Sequence, residues 1–146
     1  MAAFTLLETD WAHDARRLSA IRRAVFIDEQ GVPEVLEWDA HDMHSLHLLA
    51  IAGDAVPIGC ARLLPDGHIG RMAVLPAWRG RGGGQALLAA ALRAAQARGY
   101  RTVRLSAQTH AAGFYARAGF VVVGEEYEEA GIQHVSMQKT GSDRNR

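Results

Sequence analysis

The chain has 146 residues, 49% hydrophobic and 22% charged, with 16 basic and 16 acidic side chains. This is the composition of a globular domain long enough to bury a core unaided, and a net charge of zero gives no overall field to gather nucleic acid or an anionic membrane. Cys60 is the single cysteine, which excludes an internal disulfide, and the apolar stretch Gln85 to Ala97 falls short of the roughly 20 residues that span a bilayer, so the expectation is a cytoplasmic protein with neither nucleic-acid nor membrane partner.

Phe4 to Leu7 reads as a strand. Thr9 or Asp10 then caps a helix in which Ala15, Leu18, Ile21, Val25 and Phe26 recur at three- and four-residue intervals. Periodicity is lost from Ile27 to Ser45, where Gly31, Pro33, carboxylates and histidines predict a long loop with one short helical turn, a length usually tied to function. His47 to Ala52, the Gly53-Asp54 turn and Pro57 to Leu64 form a hairpin, and Pro65-Asp66-Gly67 leads into a third strand, His68 to Val74. Beyond a glycine-rich break, Gln85 to Arg98 is an amphipathic helix ended by Gly99. Val103 to Ser106 is a strand and Ala111 to Ala118 a short helix. Phe120 to Val123 and His134 to Met137 are strands joined by the acidic segment Glu125 to Gly131, and a polar tail is expected from Thr140. The order βαβββαβαββ implies an α/β fold whose mixed, mostly antiparallel central sheet is flanked by helices, a single domain over 1–139 with a disordered tail over 140–146.

The break Arg79-Gly80-Arg81-Gly82-Gly83-Gly84 joins a strand to a helix. Unpaired amides at the positive end of a helix dipole make an anion site, and glycine lets phosphate oxygens approach without a Cβ in the way. Arg79 and Arg81 add charge-assisted donors at the rim. A Walker loop is excluded because Gln85 and Ala86 follow the last glycine where that loop needs lysine and a hydroxyl. The meander before the turn is not a dinucleotide-binding unit, and RNA-binding arginine-glycine segments sit in disordered sequence, not between periodic elements. Three charge-assisted bonds supply roughly 5–9 kcal/mol gross, too little for a micromolar ligand after association costs of at least about 4 kcal/mol. A ligand with a diphosphate at the turn and an arm added to the neighbouring strand edge makes up the difference. Coenzyme A has that shape.

Gly70-Arg71-Met72-Ala73-Val74 followed by Arg79-x-x-Gly82-x-Gly84 resembles the acetyl-coenzyme A motif of the GNAT N-acetyltransferase superfamily, and Phe114-Tyr115-x-x-x-Gly119-Phe120 strengthens the likeness. Arg22-x-x-Val25-Phe26-x-x-Glu29-Gln30, Ala107-Gln108 and Tyr127-Glu128-Glu129-x-Gly131-Ile132-x-His134 are similar to the ElaA-like branch. The resemblance spans Arg22 to Met137. It implies the acyl-CoA N-acyltransferase fold, with strands four and five splayed to admit the pantetheine arm. It also implies that Met72, Ala73 and Val74 line that arm, the Met72 amide near the thioester oxygen, and that Arg79, Gly80, Arg81, Gly82, Gly83, Gly84 and Gln85 hold the diphosphate. Gln108, Phe114 and Tyr115 complete the cofactor contacts.

Acetyl transfer from a thioester to an amine passes through an oxyanion, needs a neutral amine and releases a thiolate that should take a proton. The family places Tyr115 as that proton donor, and its ordinary pKa near 10 suits the task; the alternative reading is a core aromatic behind Phe114. The base is left open among Glu29, Glu37, Asp39, Asp42, His47, His68 and His134. His68 lies four residues before Met72 and so on the same strand face by simple alternation, while Glu29 and His134 belong to the ElaA-like pattern. His41-x-x-His44-x-x-His47 with Asp39 and Asp42 invites a metal reading, but His47 opens a strand and breaks the spacing, so no metal is expected. Glu37-x-Asp39-x-x-Asp42 also resembles the acidic motif of acyl-homoserine lactone synthases, which lack the glycine turn. Cys60 has no paired base, which disfavours an acetyl-cysteine route.

The function expected is acetyl-CoA-dependent N-acetylation of a primary amine, on a small molecule or a peptide, by direct attack in a ternary complex. A non-catalytic acyl-CoA sensor is the alternative from a different class. Specificity is expected in Ile27 to Ser45 and Glu125 to Gly131, whose carboxylates suit a cationic acceptor, and a homodimer is left open.

Overall fold

The computed structural model describes residues 3–141. Seven strands, β1 (Phe4–Thr9), β2 (Leu46–Ala52), β3 (Pro57–Leu63), β4 (His68–Val74), β5 (Thr102–Gln108), β6 (Val121–Glu129) and β7 (Ile132–Thr140), form one sheet in the order β1-β2-β3-β4-β5-β7-β6. Among the described residues only the β4–β5 pairing is parallel. Helix α1 (Trp11–Arg22) covers one face, where Leu18, Ile21 and Val25 pack on Leu49, Cys60 and Ala73. Helix α3 (Gly83–Ala97) covers the other, with Leu87, Leu88 and Ala91 in a larger core that includes Ile58, Leu63, Leu105 and Met137. Short helices α2 (Glu34–Glu37) and α4 (Ala112–Arg117) complete the fold. The alternation and helical stripes read from the sequence thus place both apolar layers.

Three expectations need correction. The segment Ile27 to Ser45 is not a long loop. The first helix runs on through Arg23–Glu29 in widened turns, with the Gln30 amide bonded to the Val25 carbonyl at 3.0 Å, and α2 and a tight helical turn at Ala40–His44 follow. These pieces are held by buried charges, which leave no hydrophobic period to read. The acidic segment is mostly strand: β6 and β7 pair through Glu129 and Ile132 around a two-residue turn at Ala130 and Gly131, both with φ in the left-handed region (53° and 79°), the geometry that suits hairpin twist. Exposed strands need no apolar face, so the glutamates concealed it. Finally, Thr140 pairs with Thr102 in the sheet and is no part of a tail; the expected disorder of 142–146 lies outside the described residues.

A bulge in β4 decides the site. Between Cys60 and Arg62 on β3, the partners on β4 move from Ala73 to Gly70, so β4 carries one extra residue, and Arg71 takes φ 49°. Side chains therefore change face within the strand: Ile69 packs in the α3 core, while Ala73, four residues on, packs under α1. The expectation that His68 and Met72 share a face fails for this reason.

Candidate active site

β4 and β5 pair at only two positions, His68 with Arg104 and Ile69 with Leu105, before β5 continues along β7 as far as Gln108. The strands part where the bulge begins, and a cavity of about 790 Å³ opens in the wedge. Leu75 donates its amide to the Ile58 carbonyl at 2.9 Å. Since successive amides of an extended strand point to opposite edges, those of Val74 and Met72 turn into the wedge. Beyond β4 the glycine turn enters α3. Gly82 stands before the first helical residue at φ 86°, a value costly for other residues. Among the described residues, no main-chain carbonyl accepts from the amides of Gly80 to Gln85, the first intrahelical bond being Ala86 to Gly82 at 3.0 Å.

Of the residues singled out from the sequence, Met72, Ala73, Val74, Arg79, Gln108, Tyr115, Glu29 and His134 all line this cavity. Tyr115 is half-buried, packs edge-on against Phe114 and Phe120, and sets its hydroxyl 3.9 Å from Met72 Sδ. Burial raises its phenol above the ordinary value, which keeps the proton in place. His134 is 9% exposed, and its Nδ1 lies 2.7 Å from the Ile132 carbonyl. A carbonyl only accepts, so Nδ1 carries a hydrogen, and in the neutral ring the lone pair is then on Nε2. Tyr127 stacks on the ring at 6.0 Å and bonds to Ser106 through its hydroxyl. Gln108 donates to Gln30 at 2.9 Å, tying the end of the first helix to β5.

Other candidates sit differently. His68 does not line the cavity; it is half-exposed and its Nδ1 is 3.0 Å from Asp66. Glu29 is gripped at both oxygens by Arg79, each contact 2.7 Å, and the hydrogen-bonded guanidinium holds its carboxyl below the usual range. Arg79 is consequently not the free rim donor expected: its Nε also donates to the Val74 carbonyl at 2.9 Å and its amide to Pro76 at 3.3 Å. The Arg81 guanidinium lies 4.8 Å over the Trp78 ring. Phe114 stands behind the glycine turn, 3.5 Å from where a Cβ on Gly84 would lie.

The remaining base candidates, Glu37, Asp39, Asp42 and His47, lie in one polar cluster, of which Glu37 also lines the cavity. Arg22, 1% exposed, donates from Nε to Glu37 at 2.9 Å and from Nη1 to Asp42 at 2.8 Å, between the Trp11 and Trp38 rings. Arg62 reaches Asp39 and Asp42 at 2.8 and 2.9 Å, and Arg71 reaches Glu37 and Asp39 at 3.0 and 3.1 Å. Three guanidiniums face three carboxylates. Burial raises the Glu37 carboxyl, whereas at Asp42 burial is outweighed by Arg22 and Arg62 and the carboxyl is held low. His47 Nε2 lies 3.0 Å from the Asp42 carbonyl. These groups are therefore not spare carboxylates for a cationic acceptor, and among the described residues no group of three or more side chains is placed to hold a metal.

Arg71 was missed as a residue of the cavity wall because its partners lie more than thirty positions away. Gln30 and Tyr127 stand out in the sequence only as members of the ElaA-like pattern. Ser106 carried one usable signal, alternating with the buried Leu105 and Ala107.

A strand pair splayed beside an amide-rich turn is where comparison with known proteins becomes decisive. The acetyltransferase (GNAT) domain model matches residues 12–141. This chain belongs to the GNAT acetyltransferase family. Within it, Escherichia coli ElaA is 34% identical over 130 residues, 84% of each chain. The crystal structure of that protein superposes with a TM-score of 0.84 at 30% identity, over 93% of this chain and 99% of ElaA. An acyl-CoA N-acyltransferase from Pseudomonas aeruginosa gives a TM-score of 0.85 at 33% identity, over 94% and 99%. The chain is thus a GNAT protein of the ElaA-like branch, and acyl transfer is its class of chemistry. Acetyl-CoA, the usual GNAT cosubstrate, fits the groups present: strand-edge amides facing the wedge suit an amide-bearing arm, and the unpaired amides of the glycine turn suit a diphosphate. Among the described residues no helix is long and apolar enough to cross a membrane.

Proposed function

We propose that this GNAT protein acetylates a primary amine, on a small molecule or a peptide, by direct attack in a ternary complex with acetyl-CoA. The observation that carries the reading is the convergence of the Tyr115 hydroxyl, the His134 imidazole and the free edge of β4 on one cavity at the point where β4 and β5 part.

Acetyl-CoA supplies the activated acetyl group and a thiolate leaving group. The Met72 amide is aimed into the wedge and stabilises the oxygen on which charge develops, a contribution of roughly 3–4 kcal/mol for a fixed donor. His134 accepts the amine proton at Nε2, its ring fixed by the Ile132 carbonyl and by Tyr127. Tyr115, kept protonated by burial, gives a proton to the departing sulfur. Amides of Gly80 to Gln85 hold the diphosphate. Glu29 is set aside as base because Arg79 keeps it ionised and engaged, and His68 because it lies outside the cavity. Cys60 is buried in the α1 core, where burial pushes its thiol up to about 12, so it offers no thiolate for a covalent route.

The test is thiol release from acetyl-CoA across a panel of amines. Turnover is expected with at least one amine, and Tyr115→Phe should lower kcat by about 10²–10⁴-fold with little change in KM for acetyl-CoA. Cofactor binding with no thiol release on any amine would overturn the catalytic reading in favour of an acyl-CoA sensor.

A further inference from the structure

We propose that the acceptor is a small apolar primary amine with no carboxylate and no second charge: Glu129 receives its ammonium end beside His134, and its hydrocarbon body lies along Val32 and Leu36. This rests on the acetyltransferase reading above and narrows its acceptor to one chemical class. Three carboxylates line the cavity, those of Glu29, Glu37 and Glu129. Arg79 holds the first at both oxygens, and Arg22 and Arg71 hold the second. Glu129 makes no ion pair among the described residues, and its carboxylate meets the Ser106 hydroxyl at 3.5 Å. Glu129 and Ile132 are register partners across the hairpin, and His134 follows Ile132 by two residues, so all three share one face of the sheet within about 7 Å along the strand. A carboxylate there draws an ammonium to the base. The ammonium loses one proton to solvent at the exposed Glu129, attacks as the neutral amine and yields its second proton to His134 Nε2.

An anion on the acceptor finds no such place. Both arginines in the cavity wall, Arg71 and Arg79, are engaged with carboxylates, so an α-carboxylate would face Glu129 with no cation to offset the repulsion. Apolar groups line the side formed by the first helix and α2. Phe26 and Val32 are half-buried there, Leu36 is 56% exposed, and next to it on α2 Val35 is 82% exposed. A leucine so bare in a cavity wall is apolar surface for a ligand to cover. A second ammonium placed against it would lose its water and gain no partner. The Gln30–Gln108 hydrogen bond ties this side to β5 at the register partner of His134, so the apolar wall and the charged face meet at the base.

Initial rates of thiol release from acetyl-CoA with a graded set of amines test this. From propylamine to hexylamine, kcat/KM should rise by up to about fourfold for each methylene. Norleucine is pentylamine with an α-carboxylate, and 1,5-diaminopentane is pentylamine with an ammonium at the far end; each should fall about tenfold or more below pentylamine. Leu36→Ser should flatten the chain-length series while leaving the thermal melt and KM for acetyl-CoA unchanged, because Leu36 is exposed and lies off the β4 edge. Glu129→Gln should raise KM for pentylamine about tenfold with little loss of kcat, and Glu129→Asp should recover most of it. Turnover confined to peptide amines, indifferent to chain length or favouring norleucine or 1,5-diaminopentane would overturn this proposal and leave the acetyltransferase reading standing. So would a series whose slope survives Leu36→Ser, or a KM for pentylamine that Glu129→Gln does not move. Absence of thiol release with every amine would overturn the acetyltransferase reading, and this proposal with it.

Discussion

Two polar regions meet along β4 and use their hydrogen-bonding groups in opposite ways. Under α1, Arg22, Arg62 and Arg71 pair with Glu37, Asp39 and Asp42, with two tryptophan rings over the buried Arg22 guanidinium, and among the buried side-chain polar atoms of the described residues only Arg62 Nε and Arg71 Nε lack a hydrogen bond. On the wedge side, among the described residues no hydrogen-bond partner is found for the Met72 and Val74 amides, the amides of the glycine turn or His134 Nε2. Arg71 belongs to both: its backbone makes the bulge, and its side chain closes the charge cluster. The contrast teaches that charge density does not mark a site here. The densest set of ionisable groups pairs with itself, and the proposed mechanism leaves the chemistry to groups that have no such partners.

The sharpest way to break this contrast is to remove a charge from the arginine–carboxylate side. Arg22→Ala leaves Glu37 and Asp42 buried without their main partner, and a loss of about 3–5 kcal/mol is expected, read as a lower urea midpoint. If the loss were confined to activity, the cluster would belong to the site and not to the frame. On the wedge side, Gly84→Ala should separate binding from stability. Its Cβ would sit in ordinary contact with Phe114 and alanine is the better helix former by up to about 1 kcal/mol, so the melting temperature should hold or rise. KM for acetyl-CoA should rise by about tenfold through screening of the amides, equivalent to about 1.4 kcal/mol.

A smaller effect concerns pH. Burial holds the His47 imidazole below its ordinary value of 6.5, so in the window below 6.5 the unfolded chain binds a proton that the folded chain does not. Stability therefore falls as pH drops from 6.5 toward the folded pKa, by at most about 1.4 kcal/mol per pH unit. Urea melts over that range should show the slope, and His47→Gln should reduce it. Smallest of all is Cys60→Ala, for which kcat should stay within about twofold because no thiolate takes part; a large loss of kcat with intact folding would revive the covalent route.

How much of this was legible beforehand can be argued residue by residue. The strands around the Gly53-Asp54 turn, the α3 stripe of Leu87, Leu88 and Ala91, and the entry of a strand into a helix through glycines follow from local periodicity and turn chemistry, and the structure has all three. Tyr115 and His134 were named from a resemblance, and the fold brings them to one cavity. The face of His68 was misread because one bulged residue reverses alternation and leaves no mark in composition. Glu37, Asp39 and Asp42 read as spare carboxylates because the arginines that hold them are 15 to 34 residues away.

By itself, then, the sequence determined which segments are strand or helix, which of their faces are apolar and where the main chain is bare enough to meet an anion, because these depend on neighbours within a turn or a hairpin. Only tertiary structure decided which charges are spent and which remain, for pairing in a dry interior depends on groups far apart in the chain meeting at hydrogen-bond distance. The parting of β4 from β5 was of the same kind: it follows from one extra residue at Arg71, held by carboxylates from α2 and the turn after it.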